Sequence, residues 1–238
     1  MLRFFRRIRQ HLLTQNKFSK YMLYAIGEIL LVVIGILIAL QIDNWNEWRK
    51  DRQKEKEIMQ TLIENLALNI ETLESDIKFL SEYNKSSQIV ISVLDNKLPF
   101  TDSLASHLHW ARVPKRELSL SVAGYEQFKN KGFDIIVNDS IRDEVINYFE
   151  STFPKWFAIY HVVNPSNRIF IDYHVPLFYY KQGTLTPIDM ESLYTDRYFL
   201  GWIRAYAEGR NSLILHENEL IDETLRVLRL IERELANN

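Results

Sequence analysis

The chain has 238 residues, 47% of them apolar, with 29 basic and 31 acidic groups and a formal net charge of −2. That length holds one or two domains with enough apolar material for a core, and the charge balance excludes a globally basic nucleic-acid binder. No cysteine is present, which excludes a disulfide framework, a thiolate metal site and a cysteine-linked lipid anchor.

Charge is placed unevenly along the chain. Residues 1–20 carry Arg3, Arg6, Arg7, Arg9, Lys17 and Lys20 and no acid, which leaves 23 basic against 31 acidic groups in the remainder. Within "MLRFFRRIRQHLL", Leu2, Phe5, Ile8 and Leu12 share one helical face, with Arg3, Arg6, Arg7 and Gln10 elsewhere. This basic cytoplasmic segment, 1–20, reads either as an amphipathic helix lying on anionic lipid or as a plain topology signal.

Residues 21–42 read as a transmembrane helix. From Tyr21 to Leu40 the only charge is Glu28. Twenty residues rising ~1.5 Å each span ~30 Å, the thickness of the hydrocarbon layer. Tyr21 and Tyr24 mark one end and Trp45 and Trp48 the other, as interfacial anchors. "ALQIDNW" has no small-x-small cleavage site, so a retained anchor is expected rather than a signal peptide. Beyond the span the first basic residue is Arg49, and those after it alternate with Asp51, Glu55 and Glu57. The positive-inside rule then predicts a cytoplasmic N-terminus and a periplasmic 49–238.

An acid at the bilayer centre costs roughly 2.5–3.5 kcal/mol. Glu28 lies off-centre, one turn past Tyr24. Three readings stand: a tolerated near-interface acid, a contact within a helix assembly, or a proton relay. The assembly reading draws on Gly27, Leu31, Gly35 and Ala39, which form one stripe at i, i+4 spacing. Small residues on such a stripe let helix backbones approach closely.

Residues 43–97 read as a juxtamembrane helix with a heptad pattern. Ile63, Ile70 and Ile77 occupy one position, and Met59, Leu66, Leu73 and Leu80 the position three later. Isoleucine at a with leucine at d favours a parallel two-stranded coil. Leu62 and Ala67 widen the apolar face, which equally suits packing on the chain's own helices. Both readings stay open here.

Residues 98–238 are expected to form a helical outer domain packing on the 59–94 helix. A short helix ends before Pro114, and a second stops at Gly132. Asp139 or Ser140 caps a third, which Pro154 kinks or divides. "NPSNRIFIDYHVPLFYY" reads as helix rather than strand, and "KQGTLTPIDMES" as a loop. Asp196 caps a final long helix to about Ala236. In it Leu213, Leu220 and Val227 recur every seven residues, a face suited to residues 59–94. The fold class is therefore all-α: a transmembrane helix continuing toward a long, partly heptad-patterned helix, then a helical bundle.

Chemical motifs are missing. There is no glycine-rich phosphate loop. "HENEL" at His216 has Leu220 where a zinc helix needs histidine, and His107, His109, His161 and His174 are scattered. Ser75 and Lys78 spell S-x-x-K without companion motifs. No catalytic, cofactor-binding or metal residue is assigned. Aromatic residues crowd the second half, from Tyr148 to Tyr206, either as core or as a groove for a ligand or peptide.

The segment "FFRRIRQHLLTQNKFSKYMLYAIGEILLVVIGILIALQIDNWNEWRK" closely resembles the N-terminal signature of an uncharacterised family of small single-pass membrane proteins in Bacteroidetes-group bacteria, a domain of unknown function. "GYEQFKNKGFDIIVNDSIRDEVINYF" resembles its second block. The resemblance covers the start and middle of the chain. It implies a single span with Glu28 inside the signature and an inner-membrane location, and it carries over no catalytic residue.

These readings predict a membrane-anchored, non-enzymatic interaction or scaffold protein. Its expected partners are the lipid bilayer and either further copies of itself or another membrane protein, with no nucleic acid and no cofactor. The alternative is a periplasmic helical ligand-sensing domain that signals through a partner. An enzyme with an unrecognised site is the third reading.

Overall fold

The computed structural model describes residues 18–113, 118–163 and 168–237. The expected amphipathic helix over "MLRFFRRIRQHLL" lies outside them. The chain divides into two units, Met1–Lys54 and Glu55–Asn238. The sequence suggested boundaries after 20, 42 and 97. None of residues 43–54 is buried, and Glu55 is the first buried residue among the described ones.

Helix α1 spans Phe18–Asp95. No proline interrupts it, and Gly27 and Gly35 are its only glycines. Among the described residues of the first unit none is buried. Twelve Ile, Leu and Val side chains between Ile26 and Ile42 are 43–71% exposed. The helix closes at Lys97, whose φ of +49° is the left-handed turn that ends a helix.

The second unit is a helical bundle around two apolar clusters. Helix α2 is Asp102–Ala111, α3 is Ala123–Lys131, α4 is Asp139–Asn147, α5 is Phe153–Val163, α6 is Arg168–His174, α7 is Met190–Thr195 and α8 is Arg197–Asn237. Met59, Leu66, Leu73 and Leu80 of α1 share the larger cluster with Phe128, Val145, Tyr148 and Trp156, and with Leu213, Leu220, Val227 and Ile231 of α8. The smaller cluster joins Val90 and Leu94 to Leu108, Phe170, Leu185, Phe199 and Ile203.

Hydrogen bonds fix how the helices run. Asn84 pairs with Asn211, Ser87 with Arg210 and Asp95 with Arg204, so α8 lies antiparallel to this part of α1. Asn138 pairs with Glu234, Tyr148 with Thr224 and Trp156 with His216. In those three pairs each step forward on one strand of chain equals the step back on the other. Helices α4 and α5 therefore run antiparallel to α8 as one continuous rod.

That continuity explains Pro154. Proline has no N–H to give to the carbonyl four residues back, and its ring crowds that carbonyl. The chain widens instead into a π-turn over Tyr148–Thr152, with the Phe153 N–H donating to Tyr148 O. The expected kink or break is absorbed as this bulge. Gly132, at φ +95°, ends α3 as expected. The cap of α4 is Asn138, whose side chain accepts from Ser140 N and Ile141 N, one residue before the expected Asp139. Asp196 Oδ1 accepts from Phe199 N at 2.9 Å, the expected cap of α8.

One segment departs from expectation. After α6 and a 3₁₀ turn at Val175–Leu177, the chain makes a hairpin. Strand β1, Phe178–Lys181, pairs antiparallel with β2, Thr184–Pro187, in the register Phe178↔Pro187 to Lys181↔Thr184. Gly183, at φ +73°, makes the two-residue turn possible. The reading of 178–180 as helix and 181–187 as loop is corrected. Gln182-Gly183 between tyrosine- and threonine-rich quartets was the available signal.

Candidate membrane segment and interaction surfaces

The apolar stretch of α1 is long and apolar enough to cross a membrane, and none of its most apolar window is buried. Leaving twelve aliphatic side chains about half exposed to water forgoes on the order of 10–20 kcal/mol of burial. Whole domains are stable by only ~5–15 kcal/mol, so this surface demands an apolar covering. Leu31 and Ala39 are exposed, and a Cβ built on Gly27 or Gly35 meets nothing within 4 Å. The predicted stripe is thus open along its length, with Glu28 half-buried beside it. Trp45 and Trp48 are exposed at the far end. Tyr21 and Tyr24 lie in α1, but their side chains are outside the described ones.

The heptad positions have another environment. Met59, Leu66, Leu73 and Leu80 are at most 1% exposed, and Ile63, Ile70 and Ile77 pack half-buried against the same cluster. The chain's own helices α3–α5 and α8 cover this face. Of the two readings left open by the sequence, the intramolecular bundle is the one that accounts for these contacts.

Polar locks hold the bundle together. Asn69 donates to Ser121 O at 2.8 Å and accepts from Ser121 N at 2.7 Å, closing a reciprocal pair. Asn65 Oδ1 accepts from Gly124 N at 3.0 Å. The approach is close: a Cβ on Gly124 would stand 3.2 Å from both Asn65 Cγ and Thr61 O. Tyr160 OH accepts from Leu118 N at 2.8 Å.

Arg210 is a buried cation, 3% exposed on the core face of α8. Its Nη1 donates to Ser87 Oγ at 2.6 Å and Tyr83 O at 3.3 Å. Its Nη2 donates to Ala111 O at 3.0 Å and Val113 O at 2.7 Å. The guanidinium also lies 5.7 and 5.8 Å from the ring centres of Tyr83 and Tyr206. Burial pulls its pKa down to about 10, so it stays charged at neutral pH. The negative end of α2 supplies the counter-field. Arg210 therefore ties α1, α2 and α8 into one joint. It was missed in the sequence, although Ile203, Tyr206, Ala207, Arg210 and Leu213 repeat every three or four residues and mark it as a cation on a buried stripe.

Nearby, His174 is fully buried. Its Nδ1 lies 2.6 Å from Phe170 O, which can only accept, so Nδ1 carries the hydrogen. Nε2 is then the acceptor for Arg112 Nη1 at 3.3 Å. Burial, with Arg112 adding to it, holds the imidazole below its ordinary pKa despite the Phe170 carbonyl. The other described histidines are engaged separately: His107 with Ser86, His109 edge-on to Trp110, His161 against Phe157, and His216 with Glu219. Among the described residues no three His, Asp or Glu side chains gather as metal ligands.

An open cleft of about 420 Å³ lies between α1 and the Leu118–Ser119 segment, lined by Leu68, Glu71, Thr72, Ser75, Asp76, Leu118 and Ser119. The aromatic residues divide between two environments. Tyr125 stacks on Phe149 at 4.6 Å inside the core, with Phe128, Phe133 and Phe153 around them. Tyr173 and Tyr198 instead pair edge-on at 4.4 Å on the surface, and Tyr179 and Tyr180 of β1 are exposed.

Comparison of the chain with family models, with curated proteins and with solved structures finds no match.

Proposed function

We propose that this chain is a membrane-anchored, non-enzymatic interaction or scaffold protein, self-associating through its span or serving as accessory subunit of a membrane complex. The observation that carries the reading is the exposed aliphatic surface from Ile26 to Ile42 on one helix, joined in sequence to a unit with its own buried core. A folded domain tethered to lipid is suited to holding partners near a membrane. The resemblance of Phe4–Lys50 to single-pass membrane proteins of Bacteroidetes-group bacteria supports an inner-membrane location. The six basic residues before the span support a cytoplasmic N-terminus and a periplasmic second unit. The open Gly27–Gly35 stripe, where a Cβ meets nothing within 4 Å, favours a helix partner within the bilayer.

Washing membranes that hold the full chain with alkaline carbonate tests the anchor. The chain is expected to stay with the bilayer. Its release into the wash would end the reading. Exchanging Glu28→Leu or Gly35→Leu tests the partner: each is expected to alter chemical cross-linking in the membrane while leaving the helical content of the second unit unchanged.

The open cleft beside Leu68, Ser75 and Asp76 favours the second reading, a ligand sensor that signals through a partner. That reading predicts a rise in the melting temperature of the full chain with a bound small molecule.

A further inference from the structure

The stretch just beyond the apolar surface has two unlike faces. At 100° per residue, Trp45, Trp48, Arg49 and Arg52 fall at i, i+3, i+4 and i+7, within about 100° of arc. Asp43, Glu47 and Asp51 fall on the opposite arc with Lys50 and Lys54. Lys54 Nζ lies 2.8 Å from Asp51 Oδ1 on that opposite arc. The first arc carries two arginines and no acid. Trp45, Trp48 and Arg49 are exposed, and the Arg52 guanidinium lies 5.8 Å from the centre of the Trp48 ring.

The direction of that contact matters. Helical side chains lean toward the N-terminus. Arg52 therefore reaches back a full turn toward the apolar surface, and its charge stands near the level of Trp48. Trp45 begins ~5 Å past Ile42, where a hydrocarbon layer gives way to headgroups ~5–8 Å thick. Tryptophan rings favour that level, and arginines extended from it meet phosphates.

We propose that Trp45, Trp48, Arg49 and Arg52 form a binding face for the phosphate of an anionic phospholipid in the leaflet at the C-terminal end of the span. Bidentate guanidinium contacts take the phosphate oxygens, and the indoles pack on the upper acyl chain. Charge complementarity and continuity with the lipid-demanding surface identify the occupant. The inference rests on the membrane-anchored reading, and it makes the anchor selective for a lipid class rather than merely apolar.

The test reconstitutes the full chain into vesicles of phosphatidylcholine alone and of phosphatidylcholine with 30 mol% phosphatidylglycerol. Flotation is followed by native mass spectrometry of the lipid retained. Phosphatidylglycerol is expected to be retained in preference, with about fivefold lost per arginine in Arg49→Gln and Arg52→Gln, since each cation near an anionic surface contributes about that factor. Lys50→Gln with Lys54→Gln, on the opposite arc, is expected to keep the preference. Flotation on both vesicles without lipid preference would overturn this inference and leave the anchor standing. Equal losses from the two arcs would overturn it as well, in favour of a diffuse charge effect. Failure to float on either vesicle would overturn both readings. Circular dichroism of each variant verifies that the second unit is folded.

Discussion

Two stretches of the same helix, Ile26–Ile42 and Ile58–Leu94, are built from the same aliphatic residues and meet opposite fates. Ile34 and Ile38 are 53% and 55% exposed, whereas Leu66 and Leu73 are 0% exposed. The difference lies in what separates the aliphatic positions. In the first stretch they follow one another without polar interruption, so every face is apolar and no single neighbouring helix can cover it. In the second, residues such as Glu64, Glu71, Glu74 and Lys78 confine the apolar positions to a stripe. A stripe is what α8 and the α4–α5 rod can cover. The first pattern asks for a solvent and the second for a partner surface.

That contrast can be broken by substitution, and the largest effect belongs to the buried cation of the bundle. Arg210→Met takes the guanidinium donors from Ala111 O, Val113 O and the Ser87 hydroxyl, and leaves Tyr83 O with the Ser87 hydroxyl as its side-chain donor. It is expected to lower the stability of the second unit by about 3–5 kcal/mol. Urea unfolding of the full chain in mild detergent, followed by tryptophan fluorescence, measures it. A paired exchange states the contrast most plainly. Leu73→Ala is expected to cost about 2–5 kcal/mol in the same assay, while Ile34→Ala changes it by less than ~0.5 kcal/mol. Equal effects would mean that the first stretch is covered by the chain itself.

The glycines sharpen the same point at smaller scale. Gly124→Ala forces a methyl against Asn65 and the Thr61 carbonyl, and about 1–3 kcal/mol is expected to be lost. Gly35→Ala meets nothing and is expected to leave urea unfolding unchanged. The smallest effect is that of pH. His174 is held neutral in the fold, its pKa depressed below the ordinary value near 6.5. The stability it contributes is complete above that value and is lost as pH falls through it toward the depressed one, where a charged ring would face Arg112. The unfolding midpoint is expected to decline between about pH 7 and 5, and less steeply in His174→Gln.

Periodicity made much of this fold legible. The seven-residue repeats of α1 and α8 identified each other's packing faces, and Gly132 and Asp196 marked helix ends for steric and hydrogen-bonding reasons that are local. The rest depended on contacts distant in sequence. Pro154 reads as a break until the α4–α5 rod is seen to lie along α8, whose packing favours a bulge over a kink. The β1–β2 hairpin is only four residues a side, and Leu185 of β2 is buried in a cluster with Leu108 of α2, so tertiary packing outweighs its weak local pattern. Asn65 and Asn69 look like surface residues of a helix, and only Ser121 and Gly124, over fifty residues away, give them a role. In the apolar stretch of α1 the run of exposed aliphatic residues was legible directly. The arginines beside Trp45 and Trp48 were not, because their pairing needs the helix phase and the lean of the side chains.

The most direct test of an anchored interaction protein is the mass of the particle. The full chain, extracted from its native membrane in mild detergent, is weighed with everything that travels with it. The account predicts a defined multiple of this chain, or this chain in fixed ratio with another membrane protein, and loss of that assembly in Glu28→Leu or Gly35→Leu. A bare monomer in every preparation would contradict it and reduce the open stripe and Glu28 to lipid-facing surface.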